Sequence, residues 1–387
     1  MSPRAPTPWG PALLLRPLGV GGTGEVWLAR WRSAVDDAPF VLKRFTPSIA
    51  VDIDDILDTA ELLRGQRLAH VATIFDAGVD DERAWIACSF VDGIDARALL
   101  ATLGDTGLDI AVGAHVAHEA LLGLVALHAR GLVHRDVTPA NLMIDRAGHV
   151  VVVDLDFVCA TGTAATGTVP GTVSYMSPEQ AQGLPVDARA DHYVWAIVAY
   201  ELLVGDAFYG DLGDDDVLTL ARTGGYRPRR FSSLPTALQS VLHKALAPDP
   251  TDRFVDDAAL LSTWSKALSS SSVSSSSSSL LAAIVAEAAP VLDDAVVVTT
   301  PAWTQQQDHA LRADYSVVDA SSVLSVDEPS TSVFRSRGGQ GRRGLAAVVV
   351  VLVLLALVLV ARAANASDAK PLSVSTPLGH AVPTCWT

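Results

Sequence analysis

The sequence predicts an α+β chain in two unequal parts, followed by a linker and a single membrane span. Three observations predict it. Between about Leu13 and Phe90 the apolar runs are short and strand-like. From about Ala111 onward they are long and spaced i, i+3, i+4, as on the buried face of helices. Finally, Leu345–Ala361 is an unbroken apolar run without a polar side chain.

In the first part, Val26–Arg30, Phe40–Phe45 and Ala84–Phe90 read as strands, and Asp54–Leu68 as the helix that interrupts them. In the second, Ile110–Arg130 and His192–Val204 carry helical spacing. Residues 1–268 read as globular. Residues 269–279 are serine apart from Val273, a composition that buries no core. The linker, residues 267–344, is therefore expected to be mostly disordered, with Leu280–Ala289 able to form a short helix.

The span at 345–361 rises about 25 Å at ~1.5 Å per residue, the short end for a bilayer. Arginines at both ends extend it by snorkelling, and nothing downstream would cover it as a core helix. Arg335, Arg337, Arg342 and Arg343 precede it, whereas Arg362 and Lys370 follow. The positive-inside rule then places the globular part in the cytoplasm. Ala12–Leu15 is too short for the apolar region of a signal peptide. The expectation is a single-pass cell-membrane protein whose tail, residues 362–387, is extracytoplasmic and too short for a domain of its own.

The 387 residues carry 28 basic and 43 acidic side chains, a net charge of −15. That balance argues against nucleic acid as a partner, which would require a basic face. Three cysteines, Cys88, Cys159 and Cys385, exclude a disulfide scaffold and a multi-cysteine zinc site.

The chemistry lies in ordered motifs. Gly19-Val20-Gly21-Gly22-Thr23-Gly24 leads into the strand-like Glu25-Val26-Trp27-Leu28. Glycines let a backbone approach phosphates, but the helix of a dinucleotide fold and the GK[ST] of a Walker loop are both missing. Lys43 sits alone in an apolar strand, where burial requires a carboxylate partner. More specific is His134-Arg135-Asp136-Val137-Thr138-Pro139-Ala140-Asn141, followed by Asp154-Leu155-Asp156 after a valine-rich strand. Met176-Ser177-Pro178-Glu179, Asp191-His192-Tyr193 and Asp249-Pro250-Thr251-Asp252-Arg253 complete the series.

These motifs, in this order over roughly residues 10–266, resemble the protein kinase superfamily, and most closely its bacterial receptor-type transmembrane serine/threonine kinases. The resemblance implies a bilobal fold with a β-rich N-lobe and an α-rich C-lobe. It implies ATP as co-substrate, Mg²⁺ (with Mn²⁺ as an alternative), and protein substrates with serine or threonine; it allows a homodimer. Gly19–Val26 would cover the phosphates. Lys43 would contact them and be oriented by Glu61, chosen because it lies nine residues before His70. Asp136 would take or orient the substrate hydroxyl's proton, and Asn141 and Asp154 would hold the metal. Adenine would sit against Val26, Leu142 and the strand of Cys88, with Ser89–Val91 as the hinge. Glu179 and Arg253 would form a buried structural ion pair.

Two positions depart from the family pattern. Asp156 replaces the glycine of DFG and brings a second carboxylate near the metal. Thr138 replaces a lysine that contacts the γ-phosphate, removing some electrostatic stabilisation. Because Lys43, Asp136, Asn141 and Asp154 remain, the reading is a competent kinase; the alternative is a nucleotide- or partner-binding pseudokinase. The segment 157–174 is rich in hydroxyls, and Thr163, Thr166 and Thr168 are candidate autophosphorylation sites; the resemblance implies that Arg135 would pair with a phosphate on this segment.

Overall fold

The computed structural model describes residues 6–289, except 21–22, 34–37, 47–52, 104–107, 165–171 and 272–276. They all belong to the first of two compact units into which the chain divides, Met1–Ser325. The expected span Leu345–Ala361 and the arginines before it lie outside the described residues.

The N-terminal lobe is an antiparallel sheet of six strands: β1 (Thr7–Trp9), β2 (Ala12–Val20), β3 (Gly24–Trp31), β4 (Phe40–Phe45), β5 (Ile74–Asp80) and β6 (Arg83–Ser89). Their order is β1-β2-β3-β4-β6-β5. Side chains alternate across a sheet, and two cores result. Leu14, Phe40, Leu42 and Trp85 pack on one face. On the other, Phe45, Ile74 and Ile86 meet α1 (Ile53–Leu63). The helix is shorter than the expected Asp54–Leu68, because Gly65 takes a φ of 69° and turns the chain toward β5.

Short strands and a chain of helices make the second lobe. β7 (Gly93–Asp95), β9 (Leu142–Asp145) and β10 (Val150–Val152) form one small sheet, and β8 (Leu132–Val133) pairs with β11 (Cys159–Ala160). The helices are α2 (Ala96–Leu103), α3 (Ile110–His128), α4 (Pro178–Ala181), α5 (Ala188–Val204), α6 (Asp214–Thr223), α7 (Thr236–Ala245) and α8 (Asp257–Ser270). Asp109, Asp187 and Asp256 cap α3, α5 and α8 by accepting from backbone N–H groups of the first turn. The cap at Asp187 explains why α5 begins four residues before the expected His192. Among the described helices α3 alone is long and apolar enough to cross a bilayer. It is the lobe's central helix, with Val116, Ala120, Leu121, Leu124 and Leu127 wholly buried, and a helix apolar all round belongs in a core.

A further helix, α9 (Ser277–Ala288), lies beyond the expected domain boundary at 266. It packs against α2, α3, β7 and β9, and Leu281 and Val285 are fully buried in the main core. Gly148 makes the approach feasible: a Cβ there would sit 2.5 Å from the Ser278 carbonyl oxygen. Leu281, Val285 and Ala289 share one helical stripe. The serine-rich segment before them lowers the average hydropathy of the window and obscures that spacing.

Candidate active site

A cavity of about 500 Å³ opens between the two lobes. Val26, Val41, Lys43, Ala72, Ile86, Cys88, Ser89, Val91, Asn141, Asp154 and Asp156 line it. Ser89 ends β6 and Gly93 opens β7, so the segment between them joins the lobes at the cavity's edge. Leu142, expected against adenine, does not line it. It is fully buried below, and Met143 lines the cavity instead. The reason is the strand's alternation: neighbours on β9 face opposite ways.

The glycine-rich turn joins β2 to β3. Gly19 pairs with Val26 and Val20 with Glu25 across the hairpin, and both Gly19 and Val20 are exposed. Gly24 pairs with Phe45, and a Cβ on it would come within 2.1 Å of the Arg44 carbonyl oxygen. Gly21 and Gly22 lie outside the described residues. Thr23, between them and β3, donates to Asp156 Oδ2 at 3.1 Å.

Lys43 is held on β4 between Val26 and Ile86 of the flanking strands. Its Nζ donates to Asp154 Oδ1 at 2.7 Å and also to Asp156. The expected partner, Glu61, is not brought to it. The Glu61 side chain is 71% exposed and pairs with Arg64 at 3.2 Å. Helix α1 turns Ile56, Thr59, Ala60 and Leu63 inward; that stripe leaves position 61 on the outer face.

The electrostatics follow from this clustering. Burial raises the Asp156 carboxyl, the adjacent Asp154 raises it further, and Lys43 only partly offsets both. Burial also opposes charge on Asp154, but Lys43 outweighs it and the net shift is downward. For Lys43 the two carboxylates outweigh burial and favour the ammonium.

Asp136 is fixed at both oxygens. Its Oδ1 accepts from Thr172 N at 3.0 Å and Thr172 Oγ1 at 3.3 Å, and its Oδ2 accepts from Asn141 Nδ2 at 3.0 Å. Asn141 Nδ2 also donates to the Asp136 carbonyl at 2.8 Å. The expected Glu179–Arg253 pair is formed, buried and bidentate at 2.6 and 2.8 Å. Arg135 donates from Nε to the Phe157 carbonyl at 2.5 Å. Of the candidate phosphorylation sites, Thr163 is exposed, whereas Thr166 and Thr168 lie outside the described residues. Sequence reasoning missed Met143 and Thr172 as site residues. Thr172 stood among the other hydroxyls of its segment, and its place just ahead of the Ser177-Pro178-Glu179 motif was the available signal.

Below the Asp136 loop, Asp191 accepts from His134 N at 2.7 Å, Arg135 N at 3.0 Å and His128 at 2.8 Å. His128 also donates to Asp257 at 2.8 Å, and His192 donates to the same Asp257 oxygen at 2.7 Å. Burial opposes charge on His128, but its bonds to Asp191 and Asp257 outweigh it and hold the imidazole up to about 9. A raised histidine stabilises the fold fully below its unfolded value of about 6.5, and the contribution is lost as pH rises through 9. Wild type is expected to lose on the order of 3 kcal/mol across that window. The His128→Gln variant should be less stable at pH 6 and flatter with pH; equal slopes in thermal melts of the two proteins would refute this.

Comparison with known proteins agrees with this geometry. The protein kinase domain family matches residues 13–265. The chain is 32% identical over 270 residues to the tyrosine-protein kinase MasK of Myxococcus xanthus. It is 30% identical over 283 residues to the serine/threonine-protein kinase PknD of Mycobacterium tuberculosis. These alignments cover 64% and 69% of the chain, and each spans 41% of the relative's own length. The PknI kinase domain of Mycobacterium tuberculosis superposes with a TM-score of 0.56 and 26% identity, covering 69% of this chain and 99% of that kinase-domain chain. The cleft with Lys43 in its wall, the Asp136 loop anchored on Asp191 and the match over residues 13–265 have one explanation: the chain belongs to the protein kinase domain family.

Proposed function

We propose that the chain transfers the γ-phosphate of ATP to serine or threonine hydroxyls of proteins, its own activation segment among them. It does so from the cytoplasmic face of a cell membrane in which Leu345–Ala361 anchors it. The double hold on Asp136 carries the reading. Phosphoryl transfer requires positioning and charge neutralisation from the protein more than covalent chemistry. A carboxylate fixed by Thr172 on one oxygen and Asn141 on the other is suited to orient an incoming hydroxyl and take its proton.

Lys43 stands in the cavity wall to meet the α- and β-phosphates. Asn141 and Asp154 also line it, and their oxygens fit a hard cation such as Mg²⁺. Asn141 directs its amide N–H groups to Asp136, which leaves its oxygen to serve as the metal ligand. When bound, the cation neutralises charge on the phosphates. Thr138, buried where the family has a lysine, contributes no charge there, so turnover is expected to be slow. A nucleotide-holding module with weak transfer is the second reading, favoured by Thr138 and by the two carboxylates on Lys43.

The test uses the full chain in bacterial membranes with radiolabelled ATP. Label is expected on the protein and on generic substrates as phosphoserine or phosphothreonine, mapping within residues 157–174, and absent from Lys43→Ala. A chain ending at 344 should leave the membrane pellet. No label on wild type would shift the reading to the binding module, and phosphotyrosine would shift it toward the activity named for MasK.

A further inference from the structure

We propose that Asp156 is the positioning residue for Lys43, taking the part that the kinase resemblance assigns to a carboxylate on helix α1. The inference rests on reading the cavity as the ATP site. It begins with what α1 presents. All four of its acidic residues, Asp54, Asp55, Asp58 and Glu61, are exposed, and its inward stripe is Ile56, Thr59, Ala60 and Leu63. Thr59 closes that face by donating to the Val158 carbonyl at 3.0 Å. The helix therefore directs no carboxylate at Lys43.

The need for one remains. The Lys43 side chain is only 12% exposed, and an ammonium so placed requires a paired anion. Two are present. Asp154 is 30% exposed, lines the cavity and is the residue suited to a cation, so it is shared between Lys43 and the metal. Asp156 is 3% exposed and remains on Lys43 when Asp154 turns to a cation. Its Oδ2 accepts from both Lys43 and Thr23, joining the wall lysine to the end of the glycine-rich turn. A glycine at 156 could make neither bond. One buried carboxylate thus sets the lysine and the phosphate-facing turn together.

The experiment measures binding of a fluorescent N-methylanthraniloyl-ATP with Mg²⁺ to the full chain. Asp156→Asn and Asp156→Gly are each expected to weaken binding about tenfold, the loss of one charge-assisted hydrogen bond. Glu61→Gln should stay within about twofold, since an exposed ion pair contributes little. In a Lys43→Ala background, Asp156→Asn should cause a much smaller loss than in wild type, limited to its bond with Thr23, a coupling that a merely structural role would not produce. Melting temperatures identify any variant that fails to fold, and the glycine variant, which restores the family's residue, serves if the asparagine one does. Wild-type binding that Lys43→Ala weakens but the Asp156 variants leave unchanged or tighten overturns the proposal alone. A larger loss from Glu61→Gln than from Asp156→Asn also overturns it. Absence of any wild-type binding overturns the ATP reading and the proposal with it.

Discussion

Replacing Asp136 by asparagine should lower kcat about 10²- to 10⁴-fold, the usual contribution of a positioned general base, while KM for ATP stays within about twofold. The separation follows from the geometry. Asp136 does not line the cavity that Lys43, Asn141 and Asp154 line, so nucleotide binding does not depend on it. What is lost is the second oxygen. Both oxygens now accept, one from Thr172 and one from Asn141. An asparagine presents an amide N–H to one of those donors, and a buried donor facing a donor costs about 1–3 kcal/mol. The variant should therefore melt lower as well as react more slowly. Thr172→Ala removes only the hydroxyl bond to Oδ1, keeping the backbone N–H bond and the charge, and its kcat should fall less. Initial-rate kinetics on a generic substrate decide the matter: a drop under tenfold for Asp136→Asn would remove Asp136 from the proton-handling role.

A chain ending at Ser270 should melt about 5–15 °C below one ending at 290. Leu281 and Val285 are fully buried in the main core, and a buried aliphatic side chain contributes about 1.5–3 kcal/mol. Ordering α9 and its serine linker offsets part of this, and extended-chain areas overstate burial. A net loss of about 2–4 kcal/mol gives the stated shift for a domain of this size. Gly148→Ala supplies the control. Its Cβ would press on Ser278 in the longer chain, and its φ of 84° strains alanine in both. The substitution should cost more in the chain that carries α9. Coincident melts of the two lengths would show that α9 adds nothing to the core.

The sites most legible in the sequence are those whose parts lie close together in it. Asp136 and Asn141 are five residues apart and share one loop, so their spacing alone sets them side by side. The order of the motifs likewise pointed to two lobes with a cleft between them, and the cleft holds Lys43, Asn141 and Asp154 together. Less legible was which face a residue presents. Leu142 and Met143 are adjacent and both apolar, and only the pairing of β9 with β7 and β10 turns Met143 to the cavity. Glu61 has the expected spacing from His70, yet the packing of Ile56, Ala60 and Leu63 rotates it outward.

By itself, then, the sequence determined the family and pointed to the Asp136–Asn141 loop and the candidate metal-holding pair, because these are local patterns that survive in any packing of the fold. The tertiary structure decided which carboxylate meets Lys43, since Asp156 lies 113 residues away and reaches it only when the sheet closes on the second lobe. It also decided that the core extends to α9. Leu281 and Val285 sit in a short apolar stretch behind a serine run, and whether they bury depends on a surface that forms only once α2, α3 and β9 have assembled. Contacts between distant segments are set by packing and burial over the whole lobe, and no local spacing encodes them.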